Sequence, residues 1–137
     1  MKMWERLSHT ADIKIRVYGA TQQELFEHAL CAMFAVLGPL PRKEKQEAVE
    51  RTLRIKSQDA ESLLVDFLSE ALYLSEVYGE SYDVCSIEYF SRWELRAQVQ
   101  GFAVEGFESG EIKAVTYHEL AIVEHDGRWH ADIVFDI

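Results

Sequence analysis

Residues 120–136 read LAIVEHDGRWHADIVFD, and this stretch decides the fold. The central Asp126-Gly127 pair fits a type I′ turn, which needs positive φ at both central residues. Apolar and polar residues alternate on either side of the turn, and this is the period of half-buried strands. The stretch therefore predicts an antiparallel hairpin whose strands span Lys113–Glu124 and Arg128–Asp136.

The register of this hairpin assigns each side chain to one of two faces. The predicted core face carries Leu120, Ile122, Trp129, Ala131, Ile133 and Phe135. The predicted outer face carries Tyr117, Glu119, Val123, Asp132, Val134 and Asp136. The same register predicts that Tyr117 lies opposite Asp136 and His118 opposite Phe135. Because the pattern continues to residue 137, we expect this end of the chain to be held in the sheet and not frayed.

Two amphipathic helices are predicted earlier in the chain. Thr21-Gln-Gln-Glu24 is a capping box in which Thr21 and Glu24 satisfy each other's backbone N–H groups, and the helix that follows ends at Gly38-Pro39. Asp59 is the predicted N-cap of the second helix, and Gly79 is its C′ residue. Each helix has an apolar side, so each needs a surface to cover.

Further strands complete the predicted fold. Alternating residues place strands at Ala11–Tyr18, Val49–Ile55, Val84–Ser91 and Trp93–Phe102, while the two glycines of Val104–Gly110 predict a loop. Helices and strands without a regular βαβ order predict the α+β class. The expected architecture is a single domain over residues 1–137, with two amphipathic helices packed on a mainly antiparallel β-sheet.

Composition limits the possible functions. At 137 residues and 48% apolar content, the chain can bury a core without disulfides, and Cys31 and Cys85 are expected to be free thiols in a reducing compartment. The net charge of −10 argues against strong direct nucleic-acid binding. We find no apolar stretch long enough to span a bilayer and no signal segment, so we expect a cytoplasmic protein without a membrane partner.

Three anionic groups are candidate metal ligands. Asp136 is on the polar side of its strand and lies beside the terminal carboxylate of Ile137, and Asp12 is on the polar side of the strand near the start of the chain. Oxygen anions of this kind suit hard cations such as Ca²⁺ or Mg²⁺. Two structural roles remain open: Asp12 could cap a local turn with the polar residues 8–11, and Asp136 could be solvated at the chain end.

Standard catalytic signatures are missing. The sequence contains no nucleophile elbow, P-loop or dinucleotide fingerprint, and its five histidines are scattered without a zinc-ligand spacing. These absences weaken the usual hydrolase and nucleotide-enzyme interpretations.

Four stretches together resemble the archease family. They are Ser8-His9-Thr10-Ala11-Asp12, Leu63–Leu68, Gly110–His118 and the Asp136-Ile137 ending. The resemblance implies a non-catalytic cofactor of an RtcB-type RNA ligase that acts in tRNA splicing. Such a cofactor promotes guanylylation of the ligase histidine, allows multiple turnover and broadens the nucleotides that the ligase accepts. The resemblance also implies a Ca²⁺ site formed by Asp12, Asp136 and the terminal carboxylate of Ile137, with Mg²⁺ or Mn²⁺ as other possible ions.

Two other functions compete with this interpretation. A small metal-dependent hydrolase could use the same carboxylates to activate water. A chaperone-like binding protein would instead act on unrelated proteins and would not depend on Asp12 or Asp136.

Overall fold

The computed structural model describes residues 2–7, 12–44 and 47–137. This part of the chain contains two helices and nine strands. In chain order they are β1 (Trp4–Leu7), β2 (Ile13–Gly19), α1 (Gln22–Leu37), β3 (Pro39–Pro41), β4 (Val49–Lys56), α2 (Ala60–Tyr78), β5 (Glu80–Phe90), β6 (Glu94–Phe107), β7 (Ala114–Thr116), β8 (Val123–His125) and β9 (Arg128–Asp136). The predicted turn at residues 8–11, which includes the start of the predicted first strand, lies outside the described residues.

The strands form two sheets, and the pairings within the described chain are antiparallel. The first sheet has the order β1-β2-β9-β7, and β8 also pairs with β9. In the second sheet, β6 pairs with β3, β4 and β5. The α+β class with two helices is therefore confirmed, and its strands are divided between two sheets.

Both helices begin and end where the capping residues predict. The Thr21 side chain accepts from the Glu24 backbone N–H at 3.0 Å, and the Glu24 carboxylate accepts from Ala20 N–H, one residue before the predicted donor. Asp59 accepts from the Ser62 N–H at 2.7 Å and so starts α2. Both helices end at a glycine in the left-handed conformation, with φ of 70° at residue 38 and 65° at residue 79.

The core lies where the helices meet the sheets. Helix α1 contacts β2 and β9 of the first sheet and β5 of the second, and α2 contacts β7 of the first sheet and β4, β5 and β6 of the second. The largest side chains with almost no exposure include Phe26, Phe34, Phe67, Tyr82 and Phe135. Burying a large apolar side chain contributes roughly 1.5–3 kcal/mol, so these contacts dominate the packing between the helices and the sheets.

The predicted hairpin is confirmed at its turn but not along its whole length. Asp126 and Gly127 have φ of 51° and 76°, and β8 pairs with β9 directly beside them. The predicted strand Lys113–Glu124, however, is divided into β7 and β8 by a turn in which Glu119 has φ of 53°. Thr116 pairs with Val134 and Val123 pairs with His130, so six residues on this side of the hairpin correspond to three in β9 and the register shifts by three residues.

This shift corrects two predicted pairs. Ala114, and not Tyr117, pairs with Asp136, and Val115, and not His118, pairs with Phe135. Because the alternation of the sequence continues through the turn, it did not reveal the three additional residues on this side of the hairpin.

The predicted loop at Val104–Gly110 is also wrong, because β6 continues to Phe107. Its last part pairs with β3, and the register shifts between Leu40 and Pro41. Proline is tolerated at strand edges, where its missing N–H breaks no ladder hydrogen bond. Strand β1 was not predicted from the sequence, and β5 starts at Glu80, before the predicted Val84.

Candidate functional site

The β2–β9 ladder leads directly to the predicted carboxylates. Its last pair is Ile13 with Phe135, and the predicted ligands Asp12 and Asp136 are the next residues of the two chains beyond this pair. The chain bends at Asp12 as it enters β2. Ile13 and Phe135 are buried, Asp136 is exposed and Asp12 is partly exposed. Val134, predicted for the outer face, is instead buried.

The end of β9 is held in the sheet on the side away from β2. Asp136 pairs with Ala114, and its carbonyl accepts from the Lys113 N–H at 2.7 Å. The side chains of Asp136 and Ile137 are both exposed. The expectation that the strand end is held in place is therefore confirmed, and its side chains remain open to solvent.

A salt bridge neutralises another carboxylate on the same outer face. The Arg16 Nε donates to Asp132 Oδ1 at 2.6 Å and its Nη2 donates to Oδ2 at 2.9 Å, which is a bidentate pair. These hydrogen bonds lower the pKa of Asp132 and raise that of Arg16. Asp132 is therefore occupied by its arginine and does not add to the predicted ligand set.

The donor chemistry suits a hard cation. The predicted donors are the carboxylates of Asp12 and Asp136 and the main-chain carboxylate of Ile137. Ca²⁺ takes six to eight oxygen ligands, so such a set leaves positions for water or for groups from a partner. Among residues 2–7, 12–44 and 47–137 there is no cluster of three His, Cys, Asp or Glu side chains that could hold a metal. The predicted set contains only two such side chains, so it depends on the main-chain carboxylate.

A groove runs between α2 and the segment that leads to β7. It encloses about 240 Å³ and has an apolar floor that includes Leu72, Phe107 and Ile112. Glu76 and Glu111 also line it. A neighbouring depression, lined in part by residues 111–115, continues toward Ala114, the partner of Asp136 in the sheet. An apolar groove with acidic residues thus adjoins the end of β9.

Several other residues that were considered from the sequence are not among the predicted cation ligands. His118 is exposed and lies 3.8 Å from the Glu119 carboxylate, and Tyr117 is also exposed. Cys31 and Cys85 are free thiols, as predicted, and burial raises the pKa of each. Both thiols are therefore neutral near pH 7 and are not activated as nucleophiles.

A buried polar cluster in the second sheet was not predicted from the sequence. The Arg51 guanidinium donates to both Glu80 carboxylate oxygens, at 3.0 and 2.9 Å, and the Tyr82 hydroxyl donates to Oε1 at 2.8 Å. Glu80 is only 5% exposed. The hydrogen bond from Arg51 lowers the Glu80 pKa, while burial raises that of Tyr82. An acidic residue directly after the Gly79 cap was the available signal, but only the fold brings Arg51 to it.

Neither described helix is long and apolar enough to cross a membrane.

A family model and the curated relatives of this chain point to the same protein family. Residues 4–137 match the model of the archease protein family. Protein archease from Methanosarcina barkeri is 42% identical, with 99% of this chain and 97% of that protein covered, and protein archease from Pyrococcus furiosus is 40% identical with both chains fully covered.

Solved structures agree with these relatives. The solution structure of protein 1598 from Methanobacterium thermoautotrophicum has a TM-score of 0.71 at 32% identity and covers 100% of both chains. A crystal structure of an archease from Thermotoga maritima, described as a possible chaperone, has a TM-score of 0.66 at 20% identity, with 97% of this chain and 96% of that chain covered. The second likeness concerns the fold alone. The family model and the curated relatives show that this chain belongs to the archease family.

Proposed function

We propose that this protein is a non-catalytic cofactor of an RtcB-type RNA ligase in tRNA splicing. In this role it promotes guanylylation of the ligase histidine, allows multiple turnover and broadens the nucleotides that the ligase uses. The observation that carries the proposal is membership of the archease family over residues 4–137. Support from the geometry comes from the exposed carboxylate at the held end of β9 and from the register that leads to Asp12.

The proposed cation site consists of Asp12, Asp136 and the main-chain carboxylate of Ile137, with Ca²⁺ as the preferred ion and Mg²⁺ or Mn²⁺ as substitutes. When bound, a divalent cation would neutralise phosphate charge and orient a leaving group. The contribution of this chain is to hold the oxygen donors in place. The pairing of Ile13 with Phe135 and the hydrogen bond from Lys113 N–H to the Asp136 carbonyl support this role, because they order the backbone beside two of the proposed ligands.

The surface around this end of β9 favours a basic partner. The chain carries a net charge of −10, and Glu76 and Glu111 line the groove beside β7. A ligase cleft that handles RNA and nucleotide must itself carry positive charge. Long-range attraction would therefore bring the acidic end of this protein to that cleft, and added salt would weaken the approach.

A multiple-turnover ligation assay with a cognate RtcB-type ligase tests the proposal. We expect the wild-type chain to raise both turnover number and histidine guanylylation, and Asp12→Ala to lose most of this stimulation while remaining folded. The matched control is Asp126→Asn, which also removes one acidic charge at an exposed position, and asparagine suits the type I′ turn there. Normal stimulation by Asp12→Ala would defeat the cation mechanism, and no stimulation by the wild-type chain would defeat the ligase role.

The chaperone-like alternative has one observation in its favour, the description of the Thermotoga maritima structure as a possible chaperone. It predicts protection of unrelated proteins from aggregation and an unchanged effect of Asp12→Ala. Aggregation assays with two unrelated client proteins, run beside the ligation assay, separate the two functions. The cofactor role requires ligase stimulation that depends on Asp12 and no general protection.

A further inference from the structure

Two arginines lie directly opposite each other on the outer face of the second sheet. Arg54 of β4 pairs with Arg96 of β6, and both side chains alternate with buried residues, so they point away from the core. Like charges placed opposite each other on neighbouring strands destabilise a sheet. This arrangement therefore does not serve the stability of the fold.

Two other strand arginines of this acidic chain have carboxylate partners. Arg16 is paired with Asp132, and Arg51 is paired with Glu80. In the described part of the chain, no carboxylate lies within salt-bridge distance of Arg54 or Arg96. The sequence carries 24 acidic and 14 basic residues, so two facing arginines without a salt bridge form a local positive patch on an acidic protein.

One exposed aromatic ring lies beside these charges, and a second lies at the end of the same hairpin. Tyr89 of β5 pairs with Arg96, its side chain is 43% exposed, and the Arg96 Cζ is 5.4 Å from the ring centroid. At the turn between β5 and β6, Trp93 is 51% exposed and the Arg92 Cζ is 4.4 Å from its ring. Large rings held open to water on a sheet surface offer stacking surfaces for bases.

The face is also concave. A depression of about 640 Å³ is lined by Arg54, Lys56, Tyr89, Glu94 and Arg96. Glu94 is the acidic group among these lining residues, and its carboxylate lies 3.6 Å from Lys56 Nζ. The guanidinium groups of Arg54 and Arg96 also line the depression, and the Glu94 carboxylate does not neutralise them.

We propose that this face binds single-stranded RNA. Arg54 and Arg96 would contact the phosphates, with Lys56 as a weaker third contact, and Tyr89 and Trp93 would stack against the bases. The aromatic rings favour a nucleic acid over an acidic peptide, which has no bases to stack. The choice of RNA over DNA rests on the proposed function, whereas the choice of a single strand rests on the open rings. The face lies on the second sheet and is separate from the proposed cation site on the first.

Binding should be weak and strongly dependent on salt, because the rest of the chain is acidic. With about three phosphate contacts, the slope of log K against log salt should be about −2 for a single strand, and affinity should fall roughly fifteen-fold between about 50 and 200 mM salt. Non-specific affinities of this type lie at about 10⁻⁴ to 10⁻⁶ M.

Fluorescence anisotropy with a labelled short oligouridine, titrated with the full chain in EDTA, tests the proposal. We expect the double variant Arg54→Gln with Arg96→Gln to lose at least about ten-fold in affinity and to flatten the salt slope by about 1.4. Tyr89→Ala should weaken binding roughly ten-fold with an unchanged slope, because stacking does not depend on counterion release. The matched control is Arg128→Gln, an exposed arginine on the other sheet whose Cζ is 5.6 Å from the Tyr18 ring, and it should bind as the wild type does.

The same assay contains the outcomes that overturn the proposal. These are no binding by the wild-type chain, equal loss in Arg128→Gln and in the double variant, or binding of an RNA duplex or an oligoglutamate as tight as that of oligouridine. The measurement needs no ligase and no divalent cation. Its failure would therefore leave the proposed function intact. A failed ligation assay would leave the binding of a single strand intact but would remove the reason to prefer RNA over DNA.

Discussion

The two sheets place an arginine in the same geometric position and give it opposite neighbours. On the first sheet, Arg16 lies across from Asp132 and forms a bidentate salt bridge with it. On the second sheet, Arg54 lies across from Arg96 and no described carboxylate pairs with either. The first arrangement stabilises the fold, while the second leaves charge available to a ligand. An exposed arginine on a strand can therefore stabilise the sheet or remain unpaired, and the residue opposite it on the neighbouring strand determines which.

The contrast also holds within one strand. Arg51 and Arg54 both belong to β4, and Arg51 reaches the buried carboxylate of Glu80 whereas Arg54 faces solvent. The pairing of Arg51 is tied to the core, so removing it should cost more than any change on the outer faces.

The largest stability effect is expected for Glu80→Gln. The change keeps the shape of the side chain but removes the charge that accepts from Arg51 and Tyr82, and we expect a loss of about 2 kcal/mol in the free energy of unfolding. Urea denaturation measures this loss. The control is Glu94→Gln, which removes the charge from the exposed pair with Lys56 and should change stability by less than about 0.5 kcal/mol. Equal effects of the two substitutions would show that burial of the Glu80 cluster contributes nothing.

The next effect concerns the outer face of the first sheet. Adding two glycines after Ile137 would move the terminal carboxylate away from Asp136 without changing any side chain. If the proposed cation site is correct, ligase stimulation should fall about ten-fold, which is about 1.4 kcal/mol. The melting temperature should not change, because the hydrogen bond from Lys113 to Asp136 is kept. An extended chain that stimulates the ligase fully would remove Ile137 from the ligand set.

A smaller effect is expected for Asp132→Asn, which weakens the salt bridge with Arg16. Because the pair is partly exposed, solvent screens it, and we expect a loss of about 0.5–1 kcal/mol at pH 7. The folded-state pKa of Asp132 is lowered, so the pair stabilises the fold above the ordinary aspartate pKa and loses this contribution as pH falls through the lowered value. Urea denaturation from pH 7 to pH 3 should therefore show the two proteins converge below about pH 4. A constant difference over this range would contradict the assigned pKa direction.

The smallest effect has the opposite sign. Arg54→Gln relieves the repulsion with Arg96, so stability should stay the same or rise by about 0.2–0.5 kcal/mol. Thermal and urea denaturation at low salt measure it best, since salt screens the repulsion. A clear loss of stability would mean that Arg54 stabilises the sheet and is not an unpaired charge available to a ligand.

Local chemistry predicted the local structure well. The capping residues Thr21 and Asp59 and the glycines after each helix gave correct helix ends, because these signals act within one turn of the chain. The Asp126-Gly127 turn was correct for the same reason. The prediction failed where a distant segment decides the outcome, as when β3 extends β6 through the predicted loop at Val104–Gly110.

The two candidate sites differ in how far the sequence could reveal them. The polar-side positions of Asp12 and Asp136 could be predicted from alternation, and the ladder of β2 and β9 ends at the residues next to them, Ile13 and Phe135. The pairing of Arg54 with Arg96 could not be read in this way, because α2 and β5 lie between the two strands in the chain. Each arginine alone looks like an ordinary solvated residue, and only the sheet makes them neighbours.

The central place of β9 in the first sheet has a consequence for dynamics. Its residues are bonded to β2 on one side and to β7 and β8 on the other, so their amide protons should be among the slowest of this sheet to exchange with deuterium. The carboxylate of Asp136 thus projects from a backbone whose ordering was already completed when the chain folded. A cation at the proposed site would therefore bind to a strand end that is already ordered, and binding would cost little conformational entropy.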